Sequence, residues 1–255
     1  MDIIVCIRRA PTTDARIKPG SDGKTYDPAG VNYDISEYDK FAIEAAIQLK
    51  EKHSGQITIV SMGPSAATKE IRTAIAMGCD AAHLLVDDAQ HDSWSTAQAL
   101  ADKIKELPHD IVLFGWNSVD NQSSATGQMV AELLDLPSVS VAVSLEVEDG
   151  KAKVERLAAG GNRERYDITL PAVITCQKGL NKPRSANMKG IMMAKKTAVP
   201  ETPSNAPEDG VSVVGLVPPP PRAEGQIVGR GAEAVGALVT PPREESKVIR
   251  MLADQ

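Results

Sequence analysis

Ile111-Val112-Leu113-Phe114 runs straight into Gly115-Trp116-Asn117-Ser118-Val119-Asp120-Asn121-Gln122-Ser123-Ser124, and on into Ala125-Thr126-Gly127-Gln128-Met129. Four consecutive apolar residues are what a strand buried on both faces of a parallel sheet requires. Behind the loop, Met129, Leu133 and Leu134 share one face of a helix that Pro137 ends. A strand that empties through a polar loop into a helix is half of a βαβ unit. Free backbone N–H groups at a helix start attract a phosphate, and Ser and Thr hydroxyls complete its shell. The plainer reading is a solvated loop whose serine caps the helix. A cap needs one such residue, and Asp120 to Ser124 supply five polar residues in a row.

The same alternation extends towards the N-terminus. Ile3 to Ile7 is a continuous apolar run, followed by a polar, glycine-containing stretch from Thr12 to Tyr33. Residues 39–52 predict a helix with Ala42, Ala45, Ala46 and Leu49 in one stripe. Ile57 to Met62 predicts a second strand, and Gly63-Pro64-Ser65 turns the chain into a helix carrying Ile71, Ala74 and Ile75, closed by Gly78. His83 to Val86 predicts a third strand. A helix from Ser93 to Leu107, striped by Ala97, Leu100, Ala101 and Ile104, stops at Pro108. Strand–helix alternation at this spacing predicts an α/β fold with a doubly wound, mostly parallel sheet. Ligands on such sheets lie beyond the carboxyl ends of the strands, so residues 8–16, 33–39, 62–65 and 115–128 are the loops of interest.

The pattern then changes. Val139 to Val147, Lys151 to Leu157, Arg163 to Ile168 and Ala172 to Cys176 follow one another with no helix between them. Glu148-Asp149-Gly150 and Gly160-Gly161-Asn162 are hairpin-turn chemistry, which predicts an antiparallel extension of the sheet. Regular patterning fades after Gly179. The stretch 197–222 is rich in proline and stiff, ending in Pro218 to Pro221. The expected organisation is one α/β domain over residues 1–190 and a long extended C-terminal arm over 191–255 that wraps a partner. A short helix near 223–238 or 243–253 is a further expectation.

The chain has 255 residues, 42% hydrophobic and 3% aromatic, so Ala, Val, Ile and Leu must build the core. Its formal charge of -6 argues against a general nucleic-acid binder. No apolar run approaches membrane-spanning length, and Met1 to Ile7 reads as a strand, not a signal peptide. Cys6, Cys79 and Cys176 are odd in number and lack CxxC spacing, which argues against a disulfide framework and a zinc site and fits a cytoplasmic, reducing compartment. His53, His83, His91 and His109 make no metal spacing. No nucleophile–base pair, P-loop or GxGxxG stands out, so the chain reads as a binder and not an enzyme. Ser36-Glu37-Tyr38-Asp39 precedes the first helix, with Asp39 as its expected N-cap. Met192 and Met193 beside Lys195 and Lys196 read either as an adaptable docking surface or as core methionines below a solvated lysine pair.

Four motifs in order resemble a known family, the beta subunits of electron transfer flavoproteins. These are Ile71-Arg72-Thr73-Ala74-Ile75-Ala76-Met77-Gly78-Cys79-Asp80, Thr126-Gly127-Gln128-Met129, Gly179-Leu180-Asn181-Lys182-Pro183-Arg184 and Gly190-Ile191-Met192. The likeness runs from residue 1 to about 196. It implies an adenine nucleotide alpha hydrolase-like sheet and a heterodimer with an alpha subunit that holds most of the FAD. The beta subunit holds AMP, and electrons pass from dehydrogenases to a quinone oxidoreductase or similar acceptor.

Carried over by position, the resemblance implies an AMP site of Cys6, Ser36, Glu37, Tyr38, Asp39 and Met62. The loop Asp120, Asn121, Gln122, Ser123, Ser124, Ala125, Thr126, Gly127 and Gln128 completes it. Thr13 and Tyr38 fall where the family approaches the flavin. Residues 184–196 fall on its dehydrogenase-recognition loop, with Arg184, Met188, Ile191, Met192 and Lys195 as candidate contacts; Met188 stands where the family places an exposed leucine. The family usually reads Asn-Pro at Ser36-Glu37 and carries acids where this chain has Asn121-Gln122-Ser123-Ser124. In both places the chain looks more like beta subunits that serve methylated-amine dehydrogenases. Electron-bifurcating relatives, which carry a second FAD in place of AMP, tend to show a Gly, a Val and a final Pro in this loop that the chain lacks. The alternatives are such a bifurcating subunit or a stand-alone adenine-nucleotide sensor.

Overall fold

A computed structural model describes residues 1–222, 225 and 227–244. Its centre is β1 (Asp2–Ile7), whose pleat sends successive side chains to opposite faces. Ile3, Val5 and Ile7 join the core under α1 (Glu37–His53) and α2 (Thr68–Met77). Ile4 and Cys6 join the core under α3 (Ser93–Lys105) and α4 (Thr126–Leu133). Both faces are covered, which is why this strand is apolar from Ile3 to Ile7.

On one side of β1 lie β4 (Gln56–Gly63) and then β5 (Ala81–Val86), both parallel to it. On the other lies β6 (Ile111–Gly115), also parallel. The chain therefore winds outward through β4 and β5, then crosses back over β1 to reach β6. The carboxyl ends of β1 and β6 form the point where the winding reverses.

Beyond β6 the sheet continues through β10 (Ala172–Cys176), β7 (Ser138–Glu148), β8 (Lys151–Leu157) and β9 (Arg163–Thr169). β8 pairs antiparallel with both β7 and β9, as the hairpin turns predict. Ala172–Cys176 departs from that expectation: it enters the parallel part of the sheet between β6 and β7. All five of its residues are buried, and Ala172-Val173-Ile174 with Cys176 give it the mostly apolar sequence of a two-faced interior strand.

The polar stretch after β1 contains an antiparallel ribbon of β2 (Arg9–Pro11) and β3 (Tyr33–Ile35). Arg9 lies 3.4 Å above the Tyr33 ring and 3.3 Å from the buried Glu70 carboxylate. The Tyr26 and Tyr33 hydroxyls meet at 3.2 Å.

The compact unit runs from Met1 to Leu216, past the expected boundary at residue 190. Two elements carry it further: α5 (Met188–Lys196), packed on α2, and β11 (Glu201–Pro203), paired in parallel with β5 at the sheet edge. The proline-rich chain is thus tied down at its start, because an unpaired strand edge offers it backbone partners. Val217–Gln255 form a second unit, in which Val235–Glu244 is helical (α6). That overlaps the expected helix at 223–238; most of 243–253 lies outside the described residues.

Gly190 explains why α5 sits so close to α2. A Cβ there would meet the Ala76 carbonyl oxygen, a backbone atom that cannot swing aside. Gly190→Ala should destabilise the fold by roughly 1–3 kcal/mol, read as a lower denaturant midpoint. A wild-type midpoint would show that α5 does not need this approach.

Candidate functional site

The site is built on Asp39, in the first turn of α1. The sequence suggests an N-cap here, but the helix starts two residues earlier, Ser36 holds the cap position and Asp39 points inward. Its Oδ2 accepts the Arg8 N–H at 2.7 Å and its Oδ1 accepts the Gly115 N–H at 3.0 Å. These two donors are the first backbone groups past β1 and the last of β6, where the strands part and lose their ladder partners. One carboxylate satisfies both. Ser36 N–H donates to Arg8 O at 2.9 Å, so the exchange runs both ways. Gly115 is a requirement, since a Cβ would come within 2.4 Å of Asp39 Oδ1 and 2.7 Å of Asp39 N. Burial pushes the Asp39 carboxyl up to about 7, and the two N–H donors pull against it.

Above this tie opens a cleft of about 640 Å³, continuous with solvent. Cys6, Ile7 and Arg8 at the end of β1, Met62 at the end of β4 and Phe114–Gly115 at the end of β6 form its floor. Thr96 and Leu100 of α3 form one wall. Trp116 to Ser118, Asn121 and Ser123 to Gly127 form the other.

The loop that makes this wall is shaped by its own polar groups. Ser118 Oγ and Asn121 Oδ1 are 2.5 Å apart, and the Ser123 N–H donates to the same Asn121 oxygen at 3.2 Å. Gln122 and Ser124 take left-handed φ values of 54° and 51°. Arg8 reaches across the loop to Asp120, with Nε at 2.8 Å and Nη2 at 2.5 Å from Oδ2. Burial alone would raise the Asp120 carboxyl, but the Arg8 charge and hydrogen bonds hold it below the usual carboxylate range. The N-cap of α4 is Ala125, with no side-chain cap, so the plainer reading of the loop as a serine cap does not hold. Gly127 lets this helix start rest on the sheet, where a Cβ would stand 2.8 Å from Thr175 Cγ2.

Several polar atoms around the cleft are buried and lack a partner among the described residues: Trp116 Nε1, Asn117 Oδ1, Gln128 Oε1 and Ser36 Oγ. Leaving such groups unmade costs about 1–3 kcal/mol each, which a ligand offering complementary groups would recover.

Of the residues named from the sequence, Cys6, Asp39, Met62, Asn121, Ser123, Ser124, Ala125, Thr126 and Gly127 line the cleft together. Ser36 and Asp120 stand just behind the lining, each bonded to Arg8, and Gln128 is not among the lining residues. Gln122 is the exposed turn of the loop, and Glu37 faces solvent. Tyr38 packs edge-on against Trp116, ring centroids 5.5 Å apart, and Thr13 is exposed in the turn after β2. Arg8, Trp116, Asn117 and Ser118 fall inside the loops of interest but carry no individual signal. Leu100 is hidden in an ordinary helical stripe, and Thr96 lies outside that stripe with no signal of its own.

The segment 184–196 is not a loop throughout, because α5 begins at Met188, where Asn187 accepts the Gly190 N–H at 2.8 Å. Met188 is 74% exposed, and Ile191, Met192 and Met193 are exposed as well, so the methionines are surface and not core. Ala194 is the residue of α5 that faces inward. Arg184 turns onto α1: its guanidinium grips the buried Glu44 at 2.8 and 2.9 Å and Glu51 at 2.7 Å.

A doubly wound sheet with a polar cleft at its switch point defines the class of α/β proteins that take a ligand beyond the carboxyl ends of their strands. A family model described as the electron transfer flavoprotein domain matches residues 24–207. The chain is 41% identical to the electron transfer flavoprotein subunit beta of Syntrophomonas wolfei, over 88% of each protein. It is 41% identical to that of Bacillus subtilis, over 79% of this chain and 78% of the relative. It is 35% identical to a caffeyl-CoA reductase-Etf complex subunit of Acetobacterium woodii, over 76% and 75%. The chain belongs to the electron transfer flavoprotein family, among its beta subunits. Such subunits are flavin-associated electron carriers that pair with an alpha subunit, so the stand-alone sensor reading is set aside. Among the described residues no helix is long and apolar enough to cross a membrane.

Asp39→Ala would strand the Arg8 and Gly115 N–H groups at a cost of about 2–5 kcal/mol, measurable by denaturant titration. The carboxyl lies higher in the folded than in the unfolded chain. Its contribution to stability is therefore complete below about pH 4 and lost as pH rises towards 7. The wild-type advantage over Asp39→Ala should narrow across that window, and an advantage that widens with pH would contradict this assignment.

Proposed function

We propose that this chain holds AMP in the switch-point cleft and pairs with an alpha subunit that carries most of the FAD. In this reading it passes electrons from donor dehydrogenases to a quinone oxidoreductase or similar acceptor. The observation that carries the AMP assignment is the wall formed by residues 116–127. It combines an uncapped helix start, clustered hydroxyls and amides, and the unpartnered Trp116 Nε1 and Asn117 Oδ1. Backbone N–H groups at the start of α4, with Ser123, Ser124 and Thr126, would take the phosphate. Trp116, Asn117 and Gln128 would take the remaining polar groups of the nucleotide. Arg8 is engaged by Asp120, so it shapes the loop while the phosphate relies on N–H and hydroxyl donors.

The flavin, when bound, supplies the one- and two-electron chemistry. The protein's part is to bind, orient and seal. Thr13 and Tyr38 would approach the flavin, and the packing of Tyr38 against Trp116 supports that role by bracing its ring. Donor recognition falls to the exposed face of α5, where Met188, Ile191 and Met192 follow helical spacing and Lys195 stands beside them. Met is flexible and polarisable, which suits a surface meeting more than one partner. Arg184 serves this surface indirectly, by fixing the chain before α5 onto α1. The reading carries no reaction on this chain alone and so no enzyme activity. The buried, unpaired Cys6, Cys79 and Cys176 favour the cytoplasm.

Co-purified with its alpha subunit and then denatured, the complex should release one AMP and one FAD per heterodimer. Two FAD and no AMP would establish the bifurcating subunit instead. Truncation after Leu216 removes the second unit and spares β11. It should leave the thermal midpoint of the remaining chain near wild type while weakening heterodimer formation by about tenfold or more. An unchanged dimer affinity would refute a partner-wrapping arm.

A further inference from the structure

Past β11 the chain crosses from the sheet edge to the start of α3, and a small group of charges fastens it there. Ser204 N–H donates to Val86 O at 3.0 Å, continuing the edge pairing. Ser95 Oγ donates to Glu208 O at 3.3 Å. The Gly210 and Val211 N–H groups donate to Asp92 Oδ2 at 2.8 and 3.0 Å, while Asp92 Oδ1 caps α3 through the Ser95 N–H. The Asp92 N–H donates in turn to Asp209 Oδ1 at 3.0 Å.

His91 stands in the middle of this group with its side chain only 14% exposed. Nδ1 is 3.1 Å from Asp209 Oδ1 and Nε2 is 3.0 Å from Asp87 Oδ2. A neutral imidazole carries one N–H. It can donate to one of these carboxylates, and its other nitrogen then sets a lone pair against a carboxylate oxygen. Only the imidazolium makes both bonds. The charged groups about the ring are Asp87, with exposed Asp88 beside it, from the loop after β5. Asp92 comes from the start of α3, and Glu208 and Asp209 from the crossing segment. Among the described residues, no Lys or Arg forms an ion pair with Asp87, Asp92 or Asp209. The ring stands between Asp87 and Asp209, where a cation would let the two carboxylates approach.

We propose that the His91 imidazolium is a proton-dependent clasp, joining Asp87 on the sheet side to Asp209 on the crossing segment and so fixing residues 204–211 against the domain. Its consequence for assembly rests on the reading of the residues beyond Leu216 as a partner arm. Val211, Val213 and Val214 follow at once and are exposed, so the clasp sets where an apolar stretch leaves the domain. Burial alone would lower the His91 value, but hydrogen bonds to Asp209 and Asp87 and their charges outweigh it and raise the ring above the ordinary histidine value. Because the folded value is raised, the clasp is complete below about pH 6.5 and is lost as pH rises through the folded value.

The test is hydrogen exchange of the 204–211 amides in the full heterodimer from pH 5.5 to 9, corrected for intrinsic rates. Wild type should lose about tenfold or more in protection across one titration, at the midpoint that NMR assigns to His91, above 6.5. His91→Gln, which has one donor group and no charge, should show low protection at every pH, with α1 amides unchanged. Asp209→Asn, at a more exposed position, should do the same if the first variant folds poorly. Protection that is flat with pH in wild type, or fully kept in both variants, overturns the clasp. Heterodimer affinity after truncation at Leu216 reads the arm separately, so the two proposals fail independently.

Discussion

Two parallel strands that part company leave backbone groups with nobody to bond, and this fold resolves that at one carboxylate. Asp39 receives the N–H that follows β1 and the N–H that ends β6, and Gly115 is bare so that α1 can approach closely enough. The tie costs the desolvation of a carboxyl, visible in its raised proton affinity. In return the ends of β1 and β6 and the start of α1 become one rigid corner. The cleft floor is that corner, and the polar loop before α4 stands on it. Loss of the tie would disorganise the floor before it touched the hydrophobic layers on either side.

The layers themselves were legible because their causes are local. Period-3.6 stripes marked α1 to α4, and continuous apolar runs marked β1 and β6. The readable part of the site was likewise the part with concentrated chemistry, the loop from Gly115 to Gln128. What escaped was set by distant partners. Ala172–Cys176 follows hairpin turns, so it reads as part of a meander, yet its sequence neighbours do not decide which strand it meets. α5 buries only Ala194, so its apolar positions are not a core-facing stripe, and its exposed methionines mimic a core. Arg8 and Thr96 gained their places from tertiary contact alone. Asp39 looked like a cap because caps and buried ties use the same side chain near the same helix start.

The compact unit has two rims of different character. At one, Arg184 and buried Glu44 lock the chain leading to α5, so an apolar, lysine-flanked helix is offered on a stiff mount. At the other, the crossing segment is held by carboxylates gathered about one imidazole. The first rim depends on a guanidinium that keeps its charge at every working pH. The second depends on a group whose charge is conditional. Similar anchoring tasks are thus met by a permanent cation beneath the proposed docking surface and by a titratable group at the root of the proposed arm.

If the wall before α4 grips an adenylate, calorimetric titration of AMP into nucleotide-stripped heterodimer will register it. Gly127→Ala pushes the helix start away from Thr175 and moves its N–H groups. The expected result is one AMP per wild-type heterodimer and an affinity about tenfold or more weaker in the variant. Equal affinity in the two proteins, or no AMP binding in wild type, would contradict it.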